Sequence, residues 1–227
     1  MVAPGDTLYS IALRYEKDYQ ELALLNRLDA RYTIHPGQRL RLRGSPPPPP
    51  RATRPAPAPA PAATPRRPAA PVTATPTPSV TKRQTSPTTD TQSEVRESSP
   101  ASAPPAWNWP AKGPITGRFG SSGITGKGLD IAGKRGDSVV AAASGVVVYA
   151  GSGLVGYGRL LIIRHDDNYI SAYAHNDRFL VREGERVRPG QVIAEMGSSG
   201  TDRDKLHFEI RERGKPVDPL RLLPARE

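Results

Sequence analysis

Along residues 7–28 the apolar positions Leu8, Ile11, Ala12 and Tyr15, then Leu22, Leu24 and Leu25, recur at intervals that predict two short amphipathic helices separated near Lys17 and Asp18. Asp6 and Thr7 stand ahead of the first as helix-start residues, because their side-chain oxygens can accept from free amide groups of the first turn. After a Pro36-Gly37 turn, Gln38-Arg39-Leu40-Arg41-Leu42-Arg43 alternates polar and apolar, which predicts a half-buried strand with Val2 as the last residue of its partner. A unit of about 44 residues is small enough to be marginal alone. From Trp107 the pattern changes to short strands punctuated by glycine: Pro114 to Phe119, Leu129 to Ala132, Ser138 to Ala141, Gly145 to Ala150, Arg159 to His165, Tyr169 to Ala174, Gln191 to Met196 and Leu206 to Arg211. With no long helical period, residues 107–227 are expected to form one compact antiparallel β domain with a sheet-lined cleft.

Composition separates these two regions. Most of the 26 prolines fall between Ser45 and Ala106, among Ala, Thr, Ser and scattered Arg, so this segment cannot bury enough apolar surface to fold and is expected to be a disordered linker, semi-stiff in its Pro-rich half. The net charge of +10 divides as about +2, +4 and +4 over residues 1–44, 45–106 and 107–227, so no domain is basic enough to imply nucleic-acid binding. The absence of cysteine excludes disulfides, thiolate metal sites and, in the chain as given, a lipid-modified cysteine. The longest apolar stretch, Val139 to Ala150, is interrupted by Ser144 and Gly145 and is shorter than the ~20 residues that span a bilayer. Met1 leads at once into Val2-Ala3-Pro4-Gly5, so the expectation is that any export signal is removed or was never included, and that the first strand is truncated.

Gly5-Asp6-Thr7-Leu8, Ile11-Ala12, Tyr15, Leu25-Asn26, Leu28 and Ile34-x-Pro36-Gly37-Gln38-x-Leu40 together resemble the LysM module. The resemblance implies a βααβ fold holding N-acetylglucosamine-containing glycan in a shallow groove, with Gly5, Asp6, Thr7 and Leu8 on one side and Ile34, His35 and Pro36 on the other. Backbone amides can bond acetamido groups while apolar side chains cover ring faces. His35 has no second ligand type near it and reads as a loop residue rather than a metal ligand.

In the second region, Gly126-Lys127-Gly128-Leu129-Asp130-Ile131, Tyr173-Ala174-His175-Asn176 and Lys205-Leu206-His207-Phe208-Glu209-Ile210 resemble the LytM-type, lysostaphin-like M23 zinc peptidases from about Pro114 to Pro219. Active members carry His-x-x-x-Asp and His-x-His. By that resemblance Asp130 and His207 stand at ligand positions and His175 at a catalytic-type position, but Gly126 replaces the first ligand and Lys205 the other catalytic His. Two ligands leave a catalytic zinc incomplete, so no metal, no cofactor and no enzymatic activity are expected. Residues 205 and 207 share one face of a strand, and an inward Lys205 would repel a dication; Asp130, His175 and His207 are then expected to form polar contacts such as an Asp-His or Lys-Asp pair. His165, at a strand end, reads as structural, and the glycine-rich stretches 120–128 and 151–158 as loops flanking the cleft.

A LysM unit, a Pro-rich linker and a metal-deficient LytM domain in this order resemble the family of amidase-activating outer-membrane lipoproteins, the closer match residing in Gly128 to Gly133, Ser171 to Asp177 and Leu206 to Arg211. The resemblance implies a periplasmic activator at the division septum, with peptidoglycan glycan strands and an AmiC-like zinc amidase as partners, and an outer-membrane lipid anchor only in a full-length form. The groove bordered by Gly126, Asp130, His175, Lys205 and His207 is then the expected seat for the amidase segment that blocks its own zinc. A zinc endopeptidase with unusual ligands and a passive wall anchor are the alternatives. The long linker also suggests that residues 1–44 act independently of the β domain.

Overall fold

The computed structural model describes residues 1–44, 105–123 and 125–226. The expected linker lies, apart from its last two residues, outside the described residues.

The two helices are α1 (Leu8–Tyr15) and α2 (Tyr19–Asn26). Thr7 caps α1 reciprocally with Ser10, each side-chain oxygen accepting from the other residue's backbone N–H, and Asp18 caps α2 by accepting from Gln20 and Glu21. Both helices end on a left-handed residue, Glu16 and Arg27, whose N–H returns to carbonyls of the last turn. The alternation at 38–43 is visible as alternating half-buried and exposed positions, but no ladder forms. The segment bonds Val2 only through Gly37 N–H and the Gln38 carbonyl, while the N–H and carbonyl of Arg41 are taken by the Asn26 side chain. A side-chain amide thus substitutes for a strand partner.

The β domain contains β1 (Ile115–Gly117), β2 (Leu129–Ala132), β3 (Ser138–Val140), β4 (Gly145–Gly151), β5 (Leu160–Arg164), β6 (Tyr169–Ala174), β7 (Asn176–Phe179), β8 (Arg186–Val187), β9 (Val192–Met196), β10 (Lys205–Glu212) and β11 (Lys215–Val217). All pairings are antiparallel. The large sheet runs β1-β2-β10-β6-β5-β4-β8 with β11 also on β10, and a small sheet runs β3-β9-β7. Three strands, β7, β8 and β11, were not expected; they are short, polar or proline-containing, and exist because a neighbour offers an edge.

The large sheet is buried on both faces. Leu129, Ile131, Leu161, Ile163, Tyr173, Leu206, Phe208 and Ile210 point into a core shared with Val139, Ile193 and Met196 of the small sheet. On the other face, Leu160, Ile162, Ile170, Ala172 and Tyr149 form a second core with Leu8, Ile11, Leu13, Tyr19 and Leu22 of the N-terminal module. The expectation of an independent module is therefore corrected: residues 1–44 pack onto the sheet. The reason lies in β5, where Leu160, Leu161, Ile162 and Ile163 are all 0 % exposed, so both faces of an apolar run must be covered. Each such side chain contributes about 1.5–3 kcal/mol by leaving water.

Candidate functional site: a buried polar row and an open sugar-sized cleft

Strand β10 carries the row that interrupts the second core. Its register places His207 opposite Asp130 of β2 on one side and Ala174 of β6 on the other, so that Lys205, His207, Glu209 and Arg211 project to the module-covered face. Lys205 Nζ lies 2.7 Å from Asp130 Oδ2, and His207 Nδ1 lies 2.7 Å from Asp130 Oδ1. His207 Nε2 is 3.1 Å from Glu209 Oε1, and Arg211 holds Glu209 Oε2 through both Nε and Nη2 at 2.7 Å. Tyr157 donates its hydroxyl to Glu209 Oε1 at 2.8 Å. The result is an alternation of charge, Lys205, Asp130, His207, Glu209, Arg211, in which each acid lies between two bases.

The electrostatics follow from the spacing. Burial opposes ionisation of Asp130, but the hydrogen bonds from His207 and Lys205 outweigh it and hold the carboxyl well below the usual range. Glu209 is lowered in the same way, burial being outweighed by His207 and Arg211. For His207 burial acts downward, while the bonds to Asp130 and Glu209 raise it above its ordinary value. Ionised carboxylates only accept, so an acceptor facing each ring nitrogen favours the protonated form of His207.

His175 sits at the turn between β6 and β7 in the left-handed region, φ 65°, an uncommon conformation for a non-glycine residue. Its Nδ1 donates to the Ser199 carbonyl at 2.8 Å, and its ring centroid is 6.1 Å from that of His207. Burial lowers its basicity. The structure thus brings Asp130, His175, Lys205 and His207 together, but buries all except the partly exposed Lys205.

Gly126 lies half-buried in the short helical turn Thr125–Lys127 beside β2. A Cβ at Gly126 would meet the Ser121 carbonyl oxygen at 1.8 Å, and Gly120 N–H already bonds the Gly126 carbonyl. Its small size is a packing requirement. Among the described residues no group of three His, Asp or Glu side chains is placed to hold a metal ion. An accessible concavity lies next to His175: a cleft of about 450 Å³ whose lining includes Arg135, Arg159, Asp177, Ser198, Ser199 and Gly200. Arg135 and Arg159 both pair with Asp177. This rim, and Glu209, Arg211 and Tyr157 in the row, were missed from sequence; the alternation Lys205-x-His207-x-Glu209-x-Arg211 is the signal that could have shown the row.

In the N-terminal module, Asp6, Thr7, Leu8 and Ile34 line a second cleft of about 280 Å³, joined by Tyr9, Arg31, Tyr32 and Thr33. Gly5, His35 and Pro36 are exposed and lie outside its lining; Gly5, at φ 81°, serves the turn before α1. His165 is held by the Ser144 carbonyl at Nδ1 and Ser171 Oγ at Nε2, both at 2.7 Å, against the Trp107 ring.

A small module of two capped helices seated on an antiparallel sheet is the arrangement of a LysM module combined with an M23 peptidase-type domain. Residues 1–43 match the LysM domain and residues 125–219 match peptidase family M23. The lipoprotein NlpD/LppB homolog of Pseudomonas aeruginosa is 50 % identical over 237 residues, covering 100 % of this chain and 77 % of that one. The murein hydrolase activator NlpD of Salmonella typhimurium is 41 % identical, covering 99 % of this chain and 68 % of its own. A zinc-containing peptidase from Vibrio cholerae superposes with a TM-score of 0.47 at 31 % identity, over 53 % of this chain and 40 % of that one. The chain belongs to the NlpD family.

Proposed function

We propose that this protein is a non-catalytic activator of a periplasmic N-acetylmuramoyl-L-alanine amidase, holding peptidoglycan through its LysM cleft and the amidase through the β domain, at the outer membrane of the division septum. The observation that carries the non-catalytic part is the pairing around Asp130. The Lys205 ammonium binds one of its carboxylate oxygens and His207 Nδ1 the other, while His207 Nε2 faces Glu209, so a metal would have to displace Lys205 as well as compete for the ring nitrogens. A divalent ion held at Asp130 would also stand close to that ammonium, a repulsion of several kcal/mol even at an effective dielectric of about 20. The relatives named murein hydrolase activators support the activator role.

For the amidase, the open cleft beside His175 and the partly exposed Lys205 offer accessible surface, with Lys205 held by the buried Asp130–His207 pair. Seating the segment that blocks the amidase's zinc would favour the open enzyme, and a preference of ~3 kcal/mol changes the population ratio roughly a hundredfold. The test is dye release from labelled sacculi by this protein, an amidase, and both together. No release is expected from this protein alone, and strongly increased release from the pair; chelator-sensitive release by this protein alone sinks the reading. Lys205→Gln, which keeps a donor beside Asp130 while removing the exposed charge, should lower activation with an unchanged circular dichroism spectrum. Gly126 is unsuitable for this purpose, because any side chain there displaces the Ser121 backbone.

A further inference from the structure

The N-terminal sugar cleft has two walls, and only one belongs to the LysM module. Opposite Asp6, Thr7, Leu8, Tyr32 and Ile34 stand Val147 and Val148 of β4 and the Glu183-Gly184 turn of the β domain. We infer that these β-domain residues complete the glycan site, so that an N-acetylated aminosugar is held between module and sheet, and its binding strengthens their docking. This rests on the glycan reading proposed above and adds to it the second wall and its coupling.

The second wall is built and fixed. Gly184 N–H bonds the Val147 carbonyl at 2.8 Å and Val147 N–H bonds the Glu185 carbonyl at 2.9 Å, so the turn cannot drift from the strand. Glu183 Oε1 accepts from Ala150 N–H at 2.8 Å. A carboxylate retains acceptor capacity beyond one such bond, which suits a sugar hydroxyl or an acetamide N–H. Val148 offers an aliphatic side chain, Val147 contributing its backbone because its side chain is buried in the first core, and Tyr9 and Tyr32 offer an aromatic face. At about 280 Å³ the cleft is near the lower end of small-molecule sites, which are about 300–1,000 Å³, so it takes a single ring rather than a length of chain.

The cleft is continuous with the docking contacts. Tyr32 meets the edges of Tyr9 and Tyr19, whose ring centroids lie 4.6 Å apart, and the Tyr19 hydroxyl and Gln20 amide both bond the Asp167 carbonyl of the β domain. A ligand that binds the docked arrangement better than the separated one must shift the equilibrium towards docking.

The whole chain is titrated calorimetrically with the tetramer of N-acetylglucosamine. Ile34→Asp, in the module's own wall, should abolish binding. Val148→Lys, in the second wall, should weaken it about tenfold. Gly214→Asn leaves the cleft untouched but drives a Cβ into the Lys17 backbone, 2.3 Å from its carbonyl, at a left-handed φ of 77° that asparagine tolerates; it lifts the module and should also weaken binding about tenfold. If both variants bind like the wild type, the module alone holds the sugar and the inference fails. Tighter binding by Gly214→Asn would mean that docking obstructs the cleft, which also overturns it. A wild-type chain that binds no tetramer overturns the glycan reading itself, and this inference with it. Should Gly214→Asn not fold, Val148→Lys decides alone.

Discussion

The two faces of β10 are equally dry and are held by different physics. Leu206, Phe208 and Ile210 on one side and Glu209 and Arg211 on the other are all 0 % exposed. The apolar face gains from area removed from water and tolerates imperfect neighbours. The polar face gains little net energy from its pairs, but any member left without its partner is a buried charge. The apolar side therefore degrades gradually, whereas the polar side depends on every member being present.

The sharpest way to break this comparison is Arg211→Met. It strands Glu209 and removes the guanidinium that also donates to the Leu13 carbonyl, so a loss of about 3–5 kcal/mol is expected from urea unfolding. Phe208→Ala should cost a similar about 3–5 kcal/mol through its cavity. The two differ in rescue: adding Glu209→Gln to Arg211→Met should recover part of the loss, whereas it should not relieve Phe208→Ala. Absence of rescue would show that the row is held by packing rather than by charge.

A second, smaller effect is read in pH. Burial pulls the His165 pKa from 6.5 down to about 4, with the Ser144 carbonyl opposing. A folded value below the unfolded one means that the neutral ring stabilises the fold above pH 6.5 and that this contribution disappears as pH falls towards 4. The raised His207 works in the opposite sense, its stabilisation present below pH 6.5 and lost as pH rises through its folded value. Melting temperatures of the wild type and His165→Gln from pH 7 to pH 4 should converge on the acid side. Parallel curves would remove His165 from the account. The smallest effect is expected at Lys127→Ala, whose 2.7 Å pair with the exposed Glu16 is solvent-screened and should contribute less than about 1 kcal/mol, decreasing further with salt.

The elements with strong internal pattern were legible in the sequence. Both helices, the Thr7 start of the first, their separation near Asp18, and β2 and β6 to the residue follow from spacing and capping chemistry. So did the meeting of Asp130, His175, Lys205 and His207, because the motifs name the strands that carry them. What escaped was long-range. Strands β7, β8 and β11 have no pattern of their own, and Gln38–Arg43 has a strand's pattern but gives Arg41 to Asn26. The docking of residues 1–44 was present in the unbroken Leu160-Leu161-Ile162-Ile163 run, whose lack of alternation signals two covered faces, but nothing local says which segment supplies the cover.

The confinement of Gly126 bears on how such a domain can change over generations. With the Ser121 carbonyl 1.8 Å from where a Cβ would sit, a single codon change to histidine cannot be accommodated there; the 120–123 loop has to be rebuilt first. Lys205 sets a second constraint, since its ammonium is bonded to the buried Asp130 carboxylate. A lineage that has closed its loop over a glycine and paired a buried acid with a lysine must pass through poorly packed or unpaired intermediates to place other side chains at either position. Such constraints behave as a ratchet, because the packing that admits only glycine also resists its replacement.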